Sequence, residues 1–365
     1  MHSTRFFIPY KSLNLRKVTA LGLALGALFS TFEVVHGEYS MQSLNDKTLT
    51  MIIPEEKYSF LIAGHIYGTP GVLQASTFLA NIDPINESEA SFLVLLGDIY
   101  YKGDKLHLRN FIRTINQIDF PVFNAPGNHC LTDRRTYMEH FGNTFGTLRY
   151  GTELFIFMDS ELDKGNISGE QLVFLMTAVK NAIPDSSIKN VFVFSHKLIW
   201  SPASGWLKPV FDHLNSQRDY PTGENFKAKI LPHLIELSQK KNVYCIAGDI
   251  GCPWSLPLFF EKSPEHDITY AACGLGDTEK DAMIKVSLDG SGRATFQAFP
   301  LSGQELEPLE TYNTEYWRHY FGVTRYGTRA VRVLKNKIFY LGVIAGVLLT
   351  ILALSVVRSL INIHR

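Results

Sequence analysis

Gly127-Asn128-His129 joins a residue that frees the backbone to an amide oxygen and an imidazole, and it follows an apolar run at residues 121–126. Gly97-Asp98 closes a similar run at residues 92–96. A glycine lets the chain turn sharply where a strand ends. The next side chain then projects into the crevice outside the strand ends, where open α/β sheets hold their ligands. Asp98 and Asn128 offer hard oxygens suited to a divalent ion, and His129 offers a proton. Three more strand ends carry polar residues: Gly64-His65-Ile66-Tyr67, Ser195-His196 and Gly248-Asp249-Ile250-Gly251. One Gly-Asp pair says little, whereas five such ends, each after an apolar run, describe a site.

The elements that must position these residues are short apolar runs at 60–63, 92–96, 122–125, 154–158, 191–194 and 243–247. Helical patterns lie between them at 105–117, 169–181 and 226–240. This alternation predicts a layered α/β domain. Runs at 268–273, 283–287 and 294–298 read as consecutive strands without helices. Residues 201–225, rich in turn-formers and following Trp200, read as a surface insertion near the site.

The 365 residues are 45% hydrophobic, enough for one large domain with accessory segments. Formal net charge is zero, so bulk electrostatics points to no nucleic-acid partner. The four cysteines, Cys130, Cys245, Cys252 and Cys273, lack metal-finger spacing. Residues 338–357 form an uncharged run of about 20 residues, the length of a membrane-spanning helix. Residues 18–37, after the basic lead Arg5, Lys11, Arg16 and Lys17, read as a second anchor or as a signal peptide. The sequence thus divides into a cytoplasmic segment 1–17, anchor or signal 18–37, linker 38–57, domain 58–300, basic and aromatic juxtamembrane segment 301–337, membrane helix 338–357 and tail 358–365. The N-terminal basic residues place both termini in the cytoplasm if the first helix is retained, and the domain outside it. Arg318, Arg325, Arg329, Arg332, Lys335 and Lys337 before the second helix argue for the opposite orientation. Tyr316, Trp317, Tyr320 and Tyr340 suit an interfacial belt. Gly22/Gly26 and Gly342/Gly346 would let two membrane helices pack together.

With these residues in place, the chain resembles the calcineurin-like metallophosphoesterases, a family that includes purple acid phosphatases. The resemblance covers about residues 58–300 and extends to Phe157-Met158-Asp159-Ser160, Ser168-Gly169-Glu170-Gln171-Leu172 and Cys273-Gly274-Leu275-Gly276. It implies a β-sandwich flanked by helices, to which the apolar terminal runs add a membrane helix at each end of this chain. It also implies metal ions that polarise a phosphoryl oxygen for attack. Asp98 falls at the family's metal-bridging position, Asn128 and His196 at ligand positions, and His129 at the proton donor. Gly97-Asp98-Ile99-Tyr100-Tyr101 matches the purple acid phosphatase variant, in which the last tyrosine ligates iron. Four positions depart: His65 replaces an aspartate, Tyr67 a histidine, Asp249 a histidine and Gly251 a histidine. Cys130 replaces an acidic residue. If the loops converge as the resemblance implies, Cys130 and Cys252 are either neighbours able to form a disulfide or two separate thiols.

The implied reading is one divalent ion (Mn, Zn, Fe or Mg) on Asp98, Asn128, His196 and Asp249. A second, weaker position would be left to His65, Tyr67 and Tyr101. More oxygen ligands shift preference from zinc toward manganese or magnesium. The expected function is a membrane-anchored phosphoesterase acting on a phosphate monoester or diester. The alternative is an inactive domain of the same fold that serves as a membrane-associated binding or scaffold module.

Overall fold

Phenylalanines alternate with aliphatic residues along three strands, and this alternation sets the layers. In the computed structural model, strand β1 (Tyr58–Ala63) turns Phe60 and Ile62 to one face and Leu61 and Ala63 to the other. After β2 (Leu93–Leu95), β3 (Val122–Asn124) and β4 (Gly146–Tyr150), β5 (Glu153–Phe157) repeats the pattern. It sends Phe155 and Phe157 inward and Ile156 outward. Strand β6 (Asn190–Ser195) does the same with Phe192 and Phe194 against Val191 and Val193. The period-two geometry of a strand makes this division. The structure describes residues 39–50, 52, 56–68, 71, 73–211, 225–250, 258–319, 349–350 and 354.

The remaining strands are β7 (Asn242–Ala247), β8 (Leu258–Lys262), β9 (Ile268–Cys273), β10 (Ala282–Leu288) and β11 (Ala294–Pro300). They complete a five-stranded sheet, β11-β10-β1-β2-β3, and a six-stranded sheet, β4-β5-β6-β7-β9-β8. Strands β1, β2 and β3 are mutually parallel, as are β5, β6, β7 and β9. Antiparallel strands close the outer part of each sheet. The inward phenylalanines of both sheets form one core. The Phe60 ring stacks on Phe92 at 4.9 Å and meets Phe155 and Phe192 edge-on at 5.4 and 5.3 Å. Edge-on and offset arrangements suit the ring quadrupole.

Helices cover the outer faces. Helix α1 (Lys105–Ile115) buries Leu108, Phe111 and Ile115 against the first sheet. Asp104 caps it by accepting the amides of Leu106 and His107 at 3.0 and 3.1 Å. Helix α2 (Arg134–Phe141) is capped by Asp133. Helices α3 (Gly169–Ala182) and α4 (Leu231–Ser238) place Leu175, Val179, Leu234 and Leu237 on the second sheet. The architecture is a mixed α/β domain of two face-packed sheets between helical layers.

Several elements differ from the sequence reading. Edge strands β4 and β8 were not expected, because short edge strands show a weaker pattern than buried parallel ones. The helix expected over 226–240 begins as a π-helical turn, Phe226–Ile230, and continues as α4, with Pro232 in its first turn. The first part of the expected surface insertion is instead core. Ala203, Leu207 and Val210 are buried, and Trp200 stacks near Phe259 and Tyr270 at 5.8 and 5.0 Å. Residues 212–224 lie outside the described residues. Trp317, expected in an interfacial belt, is fully buried and donates Nε1–H to the Leu258 carbonyl at 2.9 Å. Tyr316 packs against the same cores, while Tyr320 and Tyr340 lie outside the described residues.

Residues 1–40 and 41–365 form separate units, and the description concerns the second almost wholly. The expected membrane segment 18–37 and nearly all of the segment 338–357 fall outside the described residues. Among the described residues no helix is long and apolar enough to cross a membrane. Truncating the central ring, Phe60→Ala, should lower unfolding free energy by about 3–5 kcal/mol in urea titrations, because the rigid sheets cannot collapse onto the void.

Candidate functional site

Parallel strands carry their C-terminal ends to a common edge, so the loops after β1, β2, β3, β6 and β7 meet where the two sheets face each other. Close backbone approach makes this possible. A Cβ on Gly64, after β1, would lie 2.6 Å from the Cα of Gly248, after β7. Main-chain bonds strap the loops together. His65 N–H donates to Gly97 at 3.0 Å, Tyr67 N–H to Asp98 at 3.1 Å, and the amides of Gly248 and Asp249 to His196 at 2.9 and 2.8 Å.

Asp98 sits at the centre, almost wholly buried. Its Oδ1 accepts the His129 amide at 3.0 Å. Its Oδ2 lies 3.4 Å from His196 Nε2 and 3.8 Å from His65 Nε2. Burial alone would raise this carboxyl, but His196, with smaller help from His65 and His129, outweighs it and holds Asp98 well below the ordinary carboxylate range. Asp98 and His65 both adopt left-handed backbone, with φ of 51° and 53°. Such conformations cost a non-glycine residue roughly 1–2 kcal/mol and cluster where function fixes geometry. Gly127 passes so near that a Cβ there would overlap Asp98 Oδ1 and stand 2.8 Å from the His196 ring.

The two imidazoles facing Asp98 are oriented alike. His196 Nδ1 donates to the Leu96 carbonyl at 2.8 Å and His65 Nδ1 to the Leu275 carbonyl at 3.2 Å. Each therefore turns Nε2 toward the same carboxylate oxygen. The 3.4 Å contact of His196 is an ion-pair distance without hydrogen-bond geometry, and this buried Nε2 has no hydrogen-bond partner among the described residues. Burial pushes the His196 ring downward, yet the Asp98 charge, followed by Asp249 and Glu161, lifts it to about 10.

An orphaned, buried imidazole nitrogen beside a carboxylate, with its other nitrogen locked to a carbonyl, is how a metal-ligating histidine is usually held. Two atoms about 2.0–2.2 Å from one ion at a wide angle also stand ~3.4 Å apart. His196 and Asp98 thus fit one edge of a single-ion shell. Among the described residues no three His, Cys, Asp or Glu side chains are grouped closely enough to enclose an ion as they stand.

The other expected residues divide into two groups. Asp249 is buried, and its charge acts on both His196 and Tyr67. Asn128 is exposed on its turn. His129 donates Nδ1–H to the Tyr101 carbonyl at 2.7 Å. Tyr67 stands against His65 and His129, with ring centres 4.3 and 4.7 Å apart. Burial first, then the charges of Asp98 and Asp249, push its phenol upward. Tyr101, expected as a weak ligand, is 48% exposed and lies 5.0 Å from the His129 ring. Gly251 and Cys252 lie outside the described residues. Cys130 is a free buried thiol, so it takes no part in a disulfide. Its sulfur instead accepts the amides of Ile99 and Gly127 at 3.5 and 3.4 Å, and burial pushes the thiol up to about 12. The acidic residue expected there is replaced by a neutral acceptor that ties two site loops together.

Sequence reasoning missed a second buried layer. Lys197, next to His196, pairs with Glu161 at 3.1 Å, with both side chains largely buried. Asp159, fully buried, pairs with Arg134 and exchanges hydrogen bonds with Gln171. Sequence placed Asp159 and Gln171 only in supporting stretches. The parallel pairing of β5 with β6 is what brings these pairs beside the site.

No family model and no curated protein matches the sequence. Among solved structures, the purple acid phosphatase PPD1 from yellow lupin (Lupinus luteus) seeds is similar, with 12% identity and a TM-score of 0.48. That likeness covers 70% of this chain and 54% of the lupin protein, so the chain spans about half that protein's length. Vps29 of Chaetomium thermophilum is 7% identical over 66% of this chain and 94% of its own, with a TM-score of 0.29. Likenesses this slight carry no argument about activity.

The central charges imply a pH signature in metal-free protein. Asp98, held low, contributes stability above its unfolded value and loses it as pH falls through its lower folded value. His196, held high, contributes fully below its unfolded value near 6.5, and that contribution fades as pH rises through about 10. In chelator, stability should therefore fall by on the order of a few kcal/mol between about pH 6.5 and 10. His196→Gln should flatten that alkaline slope in urea titrations.

Proposed function

We propose that this domain is a phosphoester hydrolase working with one divalent cation at the Asp98–His196 edge, with Asn128 and Asp249 completing the set. The observation that carries the reading is the buried Nε2 of His196, which among the described residues has no hydrogen-bond partner and stands 3.4 Å from the Asp98 carboxylate. The resemblance of five strand-end motifs to metallophosphoesterases supports it independently. When bound, such an ion would supply Lewis acidity toward the phosphoryl group. Asp98 keeps a negative charge in place under burial that would otherwise neutralise it. His129, fixed through Nδ1–H to the Tyr101 carbonyl, leaves Nε2 as the ring nitrogen that can take a proton from solvent and pass it to the departing oxygen. The oxygen-rich ligand set favours manganese or magnesium over zinc. The apolar runs at 18–37 and 338–357 make the membrane its proposed setting, with the domain extracytoplasmic.

A second reading rests on His65. Its imidazole stands 3.8 Å from Asp98 where the resembled family supplies a carboxylate. Asp98 then has two imidazoles and an amide around it, which would suit a domain kept for binding phosphoesters without cleaving them.

Elemental analysis of purified full-length protein, run beside a panel of p-nitrophenyl mono- and diesters, separates the two. The hydrolase reading expects about one divalent ion per chain, manganese or magnesium before zinc, and turnover of at least one ester. Asp98→Asn should abolish both, and His129→Ala should depress turnover while leaving metal content intact. Absence of bound ion at saturating metal would end the hydrolase reading in favour of the binding module.

A further inference from the structure

Beside the Asp98 carboxylate, the described residues build a continuous row of flat rings. His65 lies against Tyr67 at 4.3 Å, Tyr67 against His129 at 4.7 Å, and His129 against Tyr101 at 5.0 Å. Tyr67 also meets Tyr101 edge-on at 5.6 Å. The row runs from the buried charge outward. Its inner members are partly buried, and its last, Tyr101, leaves 48% of its surface in water.

Tyr101 is held firmly despite its exposure. Gly71 packs so closely on the ring that a Cβ there would lie 2.8 Å from Cγ. The next described residue, Leu73, closes its loop by accepting the Gly68 amide at 2.8 Å, and it is 52% exposed. A fixed aromatic thus borders one side of a site whose far end is charged. Water gains nothing from such a surface, whereas a flat organic group does.

We infer that the site takes a phosphoester whose organic part is a planar aromatic group, with the phosphoryl end at Asp98 and His196 and the ring against Tyr101. This rests on the proposed reading for the position of the phosphoryl end, and it adds the substrate class. Tyr101 is then a specificity residue that distinguishes aryl from alkyl esters.

Binding of phenylphosphonate and methylphosphonate to the full-length protein, measured by calorimetry at saturating manganese, tests this without turnover. The wild type should bind the phenyl compound roughly five- to tenfold more tightly. Tyr101→Ala should bring that ratio close to one, and Tyr101→Phe should keep it, since the ring remains. Equal affinities in the wild type, an unchanged ratio in Tyr101→Ala, or no binding of either compound would overturn the inference. A preserved phenyl preference in a protein that hydrolyses no ester would uphold it while ending the hydrolase reading.

Discussion

The charge on Asp98 is the constraint on which the rest of the site depends. A carboxylate this deeply buried is neutralised by protonation unless cationic or donor groups surround it. Here His196, His65 and the His129 amide do so. Each of those groups comes from a different loop, so one buried charge ties together the strand ends of both sheets. The left-handed backbone of Asp98 and His65 is the conformational cost of bringing the two side chains face to face.

That arrangement is possible only because the sheets between them are rigid. The interlocked phenylalanines Phe60, Phe92, Phe155 and Phe192 set the spacing of the sandwich. With the spacing fixed, the glycines at the strand ends allow loops from opposite sheets to pass within van der Waals contact. Larger residues at Gly64, Gly127 or Gly248 would push those loops apart. Cys130 adds to the same effect, because a neutral sulfur accepts two amides without bringing another negative charge beside Asp98.

Replacements relative to the resembled family follow a physical pattern. One side of the Asp98 site carries His65 and Tyr67, whose rings lie against each other and lead on to His129 and Tyr101. On the other side, Asp98, His196 and Asp249 retain groups able to hold a cation. One half of the crevice is thus electrostatic and the other aromatic.

The sequence by itself determined the layered α/β class, the apolar runs that became β1, β5 and β6, and the five polar strand ends. Period-two alternation and Gly-Asp or Gly-Asn steps are local signals that survive without a partner strand. It did not reveal β4 and β8, the burial of Trp317 against Leu258, or the Lys197–Glu161 and Arg134–Asp159 pairs beside the site. Those depend on which elements pair across the chain, and pairing is decided by packing rather than by local pattern. Tertiary structure alone decided how the named site residues are used. It aimed His65 and His196 at one carboxylate oxygen through two backbone carbonyls, left Asn128 exposed, and laid Tyr67 and Tyr101 along the imidazoles. Residue type fixes what chemistry a side chain can do; the backbone contacts that fix its direction determine which chemistry is within reach.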